Sequence, residues 1–268
     1  MYLPILTYHR LLLQPPSKGI DPKRISVSTE QFRTHLRWLK RLGYQTLRLD
    51  DYVQQLHGPL TPTLSPGRGE SIKVPSPFGR GCRGRGRFFA ITFDDGYEEV
   101  LTLGLPILQE FGFTAAIFAV AGEDHNRWDD GAARLLTHEQ LRQWLQAGME
   151  IGAHTCSHVH LPQVSGDIAH REIAESKTKL ERAVNQAVTL FAYPYGEYNE
   201  ASEQAVQAAG FRAAFATDRA PREHDNHLFH LRRVVVFPRT NVWEILWKVQ
   251  RWYPAYQDFK RRRREVGK

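Results

Sequence analysis

Hydrophobic residues recur along the chain with two different spacings. Short, nearly continuous apolar runs are typical of buried strands, and apolar residues three or four positions apart are typical of the helices that cover them. Phe32, Leu36 and Leu39 follow the second pattern. Ser28 precedes them with Gln31 three residues later, which is the arrangement of a capping box. We therefore predict a helix that begins just after Ser28.

The same criteria divide the chain into alternating strands and helices. The predicted strands are residues 3–8, 44–49, 88–93, 114–120, 150–153, 188–192, 212–216 and 232–237. The predicted helices are residues 29–42, 52–56, 100–111, 138–148, 166–185, 199–209 and 241–252. This alternation indicates βαβ units and a mostly parallel sheet. No Gly-x-Gly-x-x-Gly follows the first strand, and the number of units favours a closed barrel over an open doubly wound sheet. We therefore predict an α/β single domain, a distorted (β/α)7-type barrel.

Residues 58–87 differ from the rest of the chain in composition. Twelve of these thirty residues are Gly or Pro, and the hydrophobic period is lost. A segment with so few apolar residues cannot offset the entropy of ordering it. We predict a disordered insertion at residues 58–87 in a barrel formed by residues 1–57 and 88–255. A basic tail follows at residues 256–268, with residues 260–264 expected to be disordered.

Positive charge is concentrated in these two segments. The chain has 36 Lys and Arg against 29 Asp and Glu, a net charge of +7. Residues 58–87 and residues 260–268 each hold six basic residues and one acidic residue. The rest of the chain is therefore slightly acidic, and we expect no nucleic-acid partner. An RNA-binding arm at residues 58–87 is the weaker alternative.

Targeting signals are not evident in the sequence. The first ten residues have no basic segment before their apolar run, and no apolar run approaches the roughly 18 residues that a membrane span needs. We expect no transmembrane segment and a cytoplasmic protein, with an exported form from an upstream start codon as the alternative. Cys82 and Cys156 cannot build a disulfide framework.

Polar residues with catalytic chemistry follow three of the predicted strands, and strand ends are where barrel active sites lie. The first group is Asp94-Asp95-Gly96, directly after a strand. Adjacent residues in a strand face opposite sides, so the two carboxylates converge only if the strand ends there. Gly96 permits such a turn. A plain turn with a helix cap is the alternative.

The second group is a histidine pair after the strand 150–153. His154 and His158 are four residues apart and meet on one face if a helical turn begins there. One Asp and two His leave a coordination position for water, which is the pattern of a catalytic zinc site. Cys156 is an alternative ligand, although we expect it to pack beneath the turn. Pairs at this spacing also occur on exposed helices.

The third group is a rigid turn after the strand 188–192. Pro194 and Gly196 flank Tyr195 there. Such a turn presents backbone N–H groups and aromatic rings to the same end of the barrel. A loop with packed tyrosines is the alternative.

In this order, the three motifs resemble those of the polysaccharide deacetylase family, which has the NodB homology domain and is carbohydrate esterase family 4. The resemblance covers nearly all of the chain outside the insertion and the tail. It implies that Asp94 is the catalytic base and that the main-chain N–H of Tyr195, next to Pro194, binds the oxyanion. The divalent metal that it implies is most simply Zn²⁺. The implied metal ligands are Asp95, His154 and His158.

Two positions depart from the family's common pattern. The usual late Leu-x-x-His motif for the general acid is missing, but the first strand ends in Leu6-Thr7-Tyr8-His9. This indicates a circularly permuted member, similar to poly-N-acetylglucosamine deacetylases, with His9 as the acid; a core histidine is the alternative. The Arg that many members carry two residues before the Pro is Ala192 here. Arg233 is a candidate to replace it, with a purely structural Arg233 equally open.

The resemblance implies metal-dependent hydrolysis of N-acetyl groups from the amino sugars of a surface polysaccharide or its precursor. The expected partner is an N-acetylated glycan. A catalytically silent carbohydrate-binding protein on the same fold is the alternative, because the orienting Arg is missing from its usual place. A glycosidase with two carboxylates would leave the histidine pair unexplained.

Two further groups of residues receive weaker hypotheses. We expect the polar stretch with three histidines to be a solvated loop, with a second metal site as the lesser alternative; these are His224, His227 and His230. We expect the tryptophans of the last helix to be core or docking residues; these are Trp243, Trp247 and Trp252.

Overall fold

The structure is a computed structural model that describes residues 3–14, 25–56, 86–128, 133–217 and 227–266. Its strands are β1 (Ile5–Tyr8), β2 (Arg10–Leu12), β3 (Ser26–Ser28), β4 (Tyr44–Thr46), β5 (Arg87–Phe93), β6 (Ala116–Ala119), β7 (Glu150–Ala153), β8 (Leu190–Ala192), β9 (Ala213–Thr217) and β10 (Leu231–Val235). Its helices are α1 (Thr29–Arg41), α2 (Leu49–Leu56), α3 (Leu105–Phe111), α4 (His138–Gln146), α5 (Gly166–Val184), α6 (Glu200–Ala208), α7 (Val242–Lys248) and α8 (Tyr253–Val266).

Seven parallel strands close into a barrel. The order around it is β1, β10, β9, β8, β7, β6 and β5, and β5 pairs back with β1. The first strand therefore lies between the last strand and β5, with Leu6 opposite both Val234 and Ile91. Strand β4 extends the sheet beside the first residues of β5, and β2 and β3 form a separate pair. The predicted (β/α)7-type barrel is confirmed.

Residues along each strand alternate between the barrel interior and the layer beneath the helices. In β5, Ala90 belongs to the inner apolar cluster, whereas Ile91 and Phe93 belong to the outer one. Thr92 continues the inner row and donates a hydrogen bond to Thr7 of the neighbouring strand at 3.0 Å. The inner row thus changes from apolar to polar towards the carboxyl ends of the strands.

Helix starts follow the predicted capping signals. The Ser28 hydroxyl accepts a hydrogen bond from the Gln31 N–H, and Thr137 and Gln140 form a reciprocal capping box at α4. Helix α2 is capped from another element, because Glu150 of β7 accepts hydrogen bonds from the first two backbone N–H groups of the helix. Burial nevertheless raises the pKa of Glu150 to about 7. This tertiary cap closes the end of the barrel opposite the strand carboxyl ends.

The carboxyl-terminal region differs from its prediction. The predicted helix 241–252 ends at Lys248, and a second helix, α8, runs through residues 260–264, which we expected to be disordered. Its basic residues have no apolar period of their own, so the sequence pattern missed it. Tyr253 and Asp258 are buried, and Asp258 accepts a hydrogen bond from Arg232 at 3.0 Å. These two side chains anchor the helix.

Several other expectations have mixed outcomes. His230 is buried rather than solvated. The three tryptophans near α7 are exposed, so they are not core residues, and their role in docking stays a prediction. Residues 58–85, including Cys82, lie outside the described residues, as does His224.

In the described part of the chain, no helix has the length and apolar character needed to cross a membrane.

Candidate active site

A pocket of about 240 Å³ opens at the carboxyl ends of the barrel strands. It brings together the predicted base Asp94, the predicted acid His9 and the predicted metal ligands of the three motifs. The residues that line it are His9, Ile25, Asp94, Asp95, Trp128, His154, His158, Tyr195, Gly196, Thr217, Val235 and Phe237.

The two aspartates converge because β5 ends at Phe93. Asp95 and Gly96 both adopt left-handed backbone conformations, with φ of 72° and 85°. This turn breaks the alternation of a strand and lets Asp94 and Asp95 point into one pocket. The Asp95 carbonyl also accepts a hydrogen bond from the Val120 N–H, which ties the turn to the end of β6.

The histidines converge by a different route from the one that we predicted. A loop, not a helical turn, follows β7, and Thr155 and His158 have φ values of 65° and 57°. The Thr155 hydroxyl accepts a hydrogen bond from the His158 N–H. Glu172 of α5 accepts hydrogen bonds from the backbone N–H groups of Cys156 and Ser157. Hydrogen bonds to the loop, rather than helical spacing, therefore bring His154 and His158 together.

Cys156 packs beneath this loop, as expected. It is buried, and burial raises the pKa of its thiol to about 11. A thiol that stays protonated is a poor metal ligand.

Asp95, His154 and His158 form a buried group with the spacing of metal ligands. Asp95 Oδ1 lies 3.5 Å from His154 Nε2 and 3.1 Å from His158 Nε2. His154 Nδ1 lies 2.7 Å from the Ala192 carbonyl oxygen and donates to it, which leaves Nε2 facing Asp95. Burial raises the pKa of Asp95, but the two histidines outweigh burial and hold it well below its usual value.

Arg233 of β10 holds the second carboxylate. Its two terminal nitrogens donate to both oxygens of Asp94, at 2.5 and 2.8 Å, and the guanidinium is fully buried. Burial raises the pKa of Asp94, but Arg233, His154 and His9 more than offset it, so the pKa is lowered. Arg233 thus supplies the bidentate contact that Ala192 cannot make.

His9 follows β1 and faces the same carboxylate. The Asp94 N–H donates to the Tyr8 carbonyl at 3.0 Å, which joins the ends of β1 and β5. His9 Nε2 lies 4.0 Å from Asp94 Oδ2 at the pocket wall. Barrel closure therefore brings residue 9 beside residue 94.

The turn with Tyr195 forms another wall. Tyr195 and Gly196 have φ values of 60° and 69°, and a Cβ on Gly196 would collide with the Thr217 side chain of β9. Trp128 stacks on His158 with ring centroids 4.5 Å apart, and Tyr195 meets the same ring edge-on at 4.6 Å. The sequence motifs did not indicate Trp128, because it lies in an irregular loop.

Comparison with known proteins agrees with this geometry. A model of the polysaccharide deacetylase family matches residues 83–214, which contain all three motifs. Residues 83–214 are a polysaccharide deacetylase domain. Enzymes of this family are hydrolases that act on the carbon–nitrogen bond of N-acetyl groups.

Bacterial proteins resemble this deacetylase along most of its length. It is 29% identical to Bacillus subtilis YxkH over 239 residues, which cover 88% of this chain and 72% of YxkH. It is 21% identical over 253 residues to the poly-beta-1,6-N-acetyl-D-glucosamine N-deacetylase of Staphylococcus epidermidis, with 86% of this chain and 78% of that protein covered.

Solved structures share the fold of this deacetylase. The Streptococcus pyogenes deacetylase PplD, in complex with acetate, has a TM-score of 0.73 at 24% identity and covers 92% of this chain and 98% of its own. IcaB from Ammonifex degensii has a TM-score of 0.69 at 22% identity, with 92% and 97% covered. Both likenesses cover most of the chain and show the same fold.

Proposed function

We propose that this deacetylase removes acetyl groups from N-acetylated amino sugars of a surface polysaccharide or its precursor, with a divalent metal and with Asp94 as general base. The observation that carries the proposal is one pocket in which Asp95 joins two histidines while Arg233 holds Asp94 beside them. The resemblance to a poly-beta-1,6-N-acetyl-D-glucosamine N-deacetylase supports the choice of sugar.

The residues present fit a divalent cation. Asp95 Oδ1 is buried without a hydrogen bond of good geometry, although it faces the Nε2 atoms of both histidines. A divalent cation between these atoms would be bound by the carboxylate oxygen and by the Nε2 lone pairs of the two imidazoles. Two imidazoles and one carboxylate favour zinc among the common divalent metals. A cation held there supplies a Lewis acid that polarises the amide carbonyl and acidifies water.

Asp94 then acts as the base. Its carboxylate accepts a proton from the water whose oxygen bonds to the acetyl carbon. Arg233 occupies one lone pair of each Asp94 oxygen and fixes the plane of the carboxylate, which leaves the other lone pairs for the reaction. The main-chain N–H of Tyr195 donates to the carbonyl oxygen as negative charge develops on it.

His9 completes the reaction as the general acid. The carbon–nitrogen bond breaks, and the departing nitrogen takes a proton from His9 Nε2, so the products are acetate and a free amino sugar. The position of His9 across the pocket wall, 4.0 Å from Asp94, supports this role. At 4.0 Å, a proton can return from Asp94 to His9 through one water after each turnover.

The two other functions receive less support. The silent carbohydrate-binding protein rested on the missing Arg at Ala192, and Arg233 makes the equivalent contact with Asp94. A glycosidase needs both carboxylates for acid and base work. Asp95 instead faces two imidazoles.

Substitution of the two aspartates separates their roles. Asp95→Ala should lose the metal of this pocket and acetate release together, because it removes a ligand. Asp94→Asn keeps the shape of the site and should bind as much metal as the wild type while acetate release falls by about 10²-fold or more. Metal content by mass spectrometry and acetate release are measured on the same samples.

Asp167 is exposed, so Asp167→Asn serves as the control. It should leave both metal content and acetate release unchanged. Wild-type turnover by Asp94→Asn would show that another group is the base.

A further inference from the structure

A second group of one carboxylate and two imidazoles lies outside the pocket. Glu203 belongs to α6. His227 precedes the short 3₁₀ turn Leu228–His230, and His230 is its last residue before β10. Each side chain offers one ligand atom, and these atoms lie within 4.8 Å of one another. None of the three residues lines the catalytic pocket. The proposed deacetylation makes no use of them.

The distances in this group are compatible with a metal site, although His230 Nδ1 and Glu203 Oε2 also lie within hydrogen-bonding distance. His227 Nε2 lies 3.4 Å from Glu203 Oε1, and His230 Nδ1 lies 3.3 Å from Glu203 Oε2. Charge-assisted N–H···O bonds are usually about 2.7–2.9 Å long. Two ligands of a tetrahedral zinc, each bound at about 2.0–2.1 Å, lie about 3.3 Å apart. The corresponding distances at Asp95 are 3.1 and 3.5 Å.

The surroundings hold the donor atoms in place and leave one side open. Tyr198 stacks against His230, and the exposed His227 ring lies parallel to His230 with centroids 4.3 Å apart. Because an imidazole binds a metal in the plane of its ring, His227 turns out of this stack when a cation binds. His230 is buried with 9% of its side chain exposed, whereas 44% of the His227 side chain is exposed. A cation can therefore enter from solvent and keep water as its remaining ligand, which a site with three protein ligands requires.

We propose that Glu203, His227 and His230 bind a second divalent cation, of the zinc type by their donor set. The cation joins the 3₁₀ turn to α6. Tyr193 links this turn to the catalytic side of the barrel, because its hydroxyl donates to the Phe229 carbonyl at 2.9 Å. The site is structural in this proposal, and it stands whether or not the deacetylase mechanism is correct.

Metal stoichiometry tests the second site directly. The full-length protein is stripped with a chelator, reloaded with Zn²⁺, dialysed and analysed by mass spectrometry. The wild type should hold two equivalents, and His227→Ala and Asp95→Ala should each hold one. The double variant should hold none. His138→Ala, which removes an exposed histidine of α4, should keep two.

A second variant and a second reading guard against misfolding. Glu203→Gln keeps the size of the side chain but removes its charge, and it should also hold one equivalent with an unchanged circular dichroism spectrum. Zn²⁺ should raise the melting temperature of Asp95→Ala but not that of Asp95→Ala combined with His227→Ala. One equivalent in the wild type with none in Asp95→Ala would overturn the proposal, as would two equivalents in His227→Ala.

Discussion

Arg233 determines how Asp94 is presented to the reaction. Its buried guanidinium contacts both carboxylate oxygens and also donates to the Thr92 hydroxyl at 3.3 Å. A bidentate contact fixes both the position and the plane of a carboxylate. Arg233 touches neither the substrate nor the proposed cation in this account, so it is a positioning residue.

Arg233→Lys should therefore lower kcat more than it changes KM. Lysine keeps the positive charge but offers one point of contact in place of a planar fork. Misplacement of a catalytic group by about 1 Å costs about 10²-fold in rate, and we expect a loss of this order. Metal content should equal that of the wild type, because the Asp95 group is untouched.

The neighbouring Arg232→Lys is the matched control for this variant. Arg232 pairs with Asp258 on the α8 side of the barrel and should leave kcat unchanged. An Arg233→Lys enzyme with wild-type kcat would show that Asp94 needs no such support. A loss of metal by the variant would mean that Arg233 acts through the fold of the whole site.

The sequence allowed most, but not all, of these residues to be predicted. The motifs around Asp94, His154 and Pro194 are local, and each follows a strand whose pattern is clear. Arg233 could only be a candidate, because its contact with Asp94 depends on the closure of the barrel across 139 positions of the chain. Trp128 follows no hydrophobic period, so no signal in one sequence distinguishes it from any other loop residue.

Helix α1 is attached to the active-site strand through His35. The His35 Nε2–H donates to the Thr240 carbonyl at 2.9 Å, and Nδ1 then accepts from the hydroxyl of Tyr8, the last residue of β1. Burial is the main cause that lowers the pKa of His35 to about 4, with a contribution from Lys248. This buried, neutral imidazole predicts a pH dependence of stability.

The folded protein should lose stability as the pH falls from about 6.5 to about 4. In this interval the unfolded chain protonates His35 and the folded chain does not, so acid favours unfolding. A depression of the pKa from 6.5 to about 4 corresponds to about 3 kcal/mol. Urea denaturation at about pH 7.5 and about pH 4.5 gives the free energy of unfolding of the wild type and of His35→Gln. The difference in this free energy between the two proteins should be smaller at the acidic pH.

His138→Gln provides the comparison, since His138 is exposed on α4. Its stability relative to the wild type should not change with pH. If the difference in unfolding free energy between the wild type and His35→Gln is the same at both pH values, burial does not lower the pKa of His35 in the folded protein.

Elements with their own local signals were predicted well, and elements that depend on distant contacts were not. Strand β7 matches its predicted residues, and α5 ends one residue earlier than predicted. The small sheet of β2 and β3 exists because Arg10–Leu12 and Ser26–Ser28 pair beside the barrel. The helix α8 depends on Tyr253 and Asp258. Neither feature has a pattern in its own residues.

Closure of the whole barrel assembles the site from distant parts of the chain. Strand β1 lies between β10 and β5, so His9, Arg233 and Asp94 come from three neighbouring strands at one end of the barrel. The inner row of small and apolar residues fills the rest of the barrel, and Glu150 closes its other end. The fold therefore leaves one polar pocket where the strands end.

Acetate release from short N-acetylglucosamine oligomers is the measurement that we would make to test metal-dependent deacetylation. The purified protein is assayed as isolated, after complete removal of metal by a chelator, and after Zn²⁺ or Co²⁺ is restored. We predict that release stops on removal and returns with the metal, with one free amino group formed for each acetate. Release that continues unchanged in the metal-free protein would contradict the account of Asp95, His154 and His158.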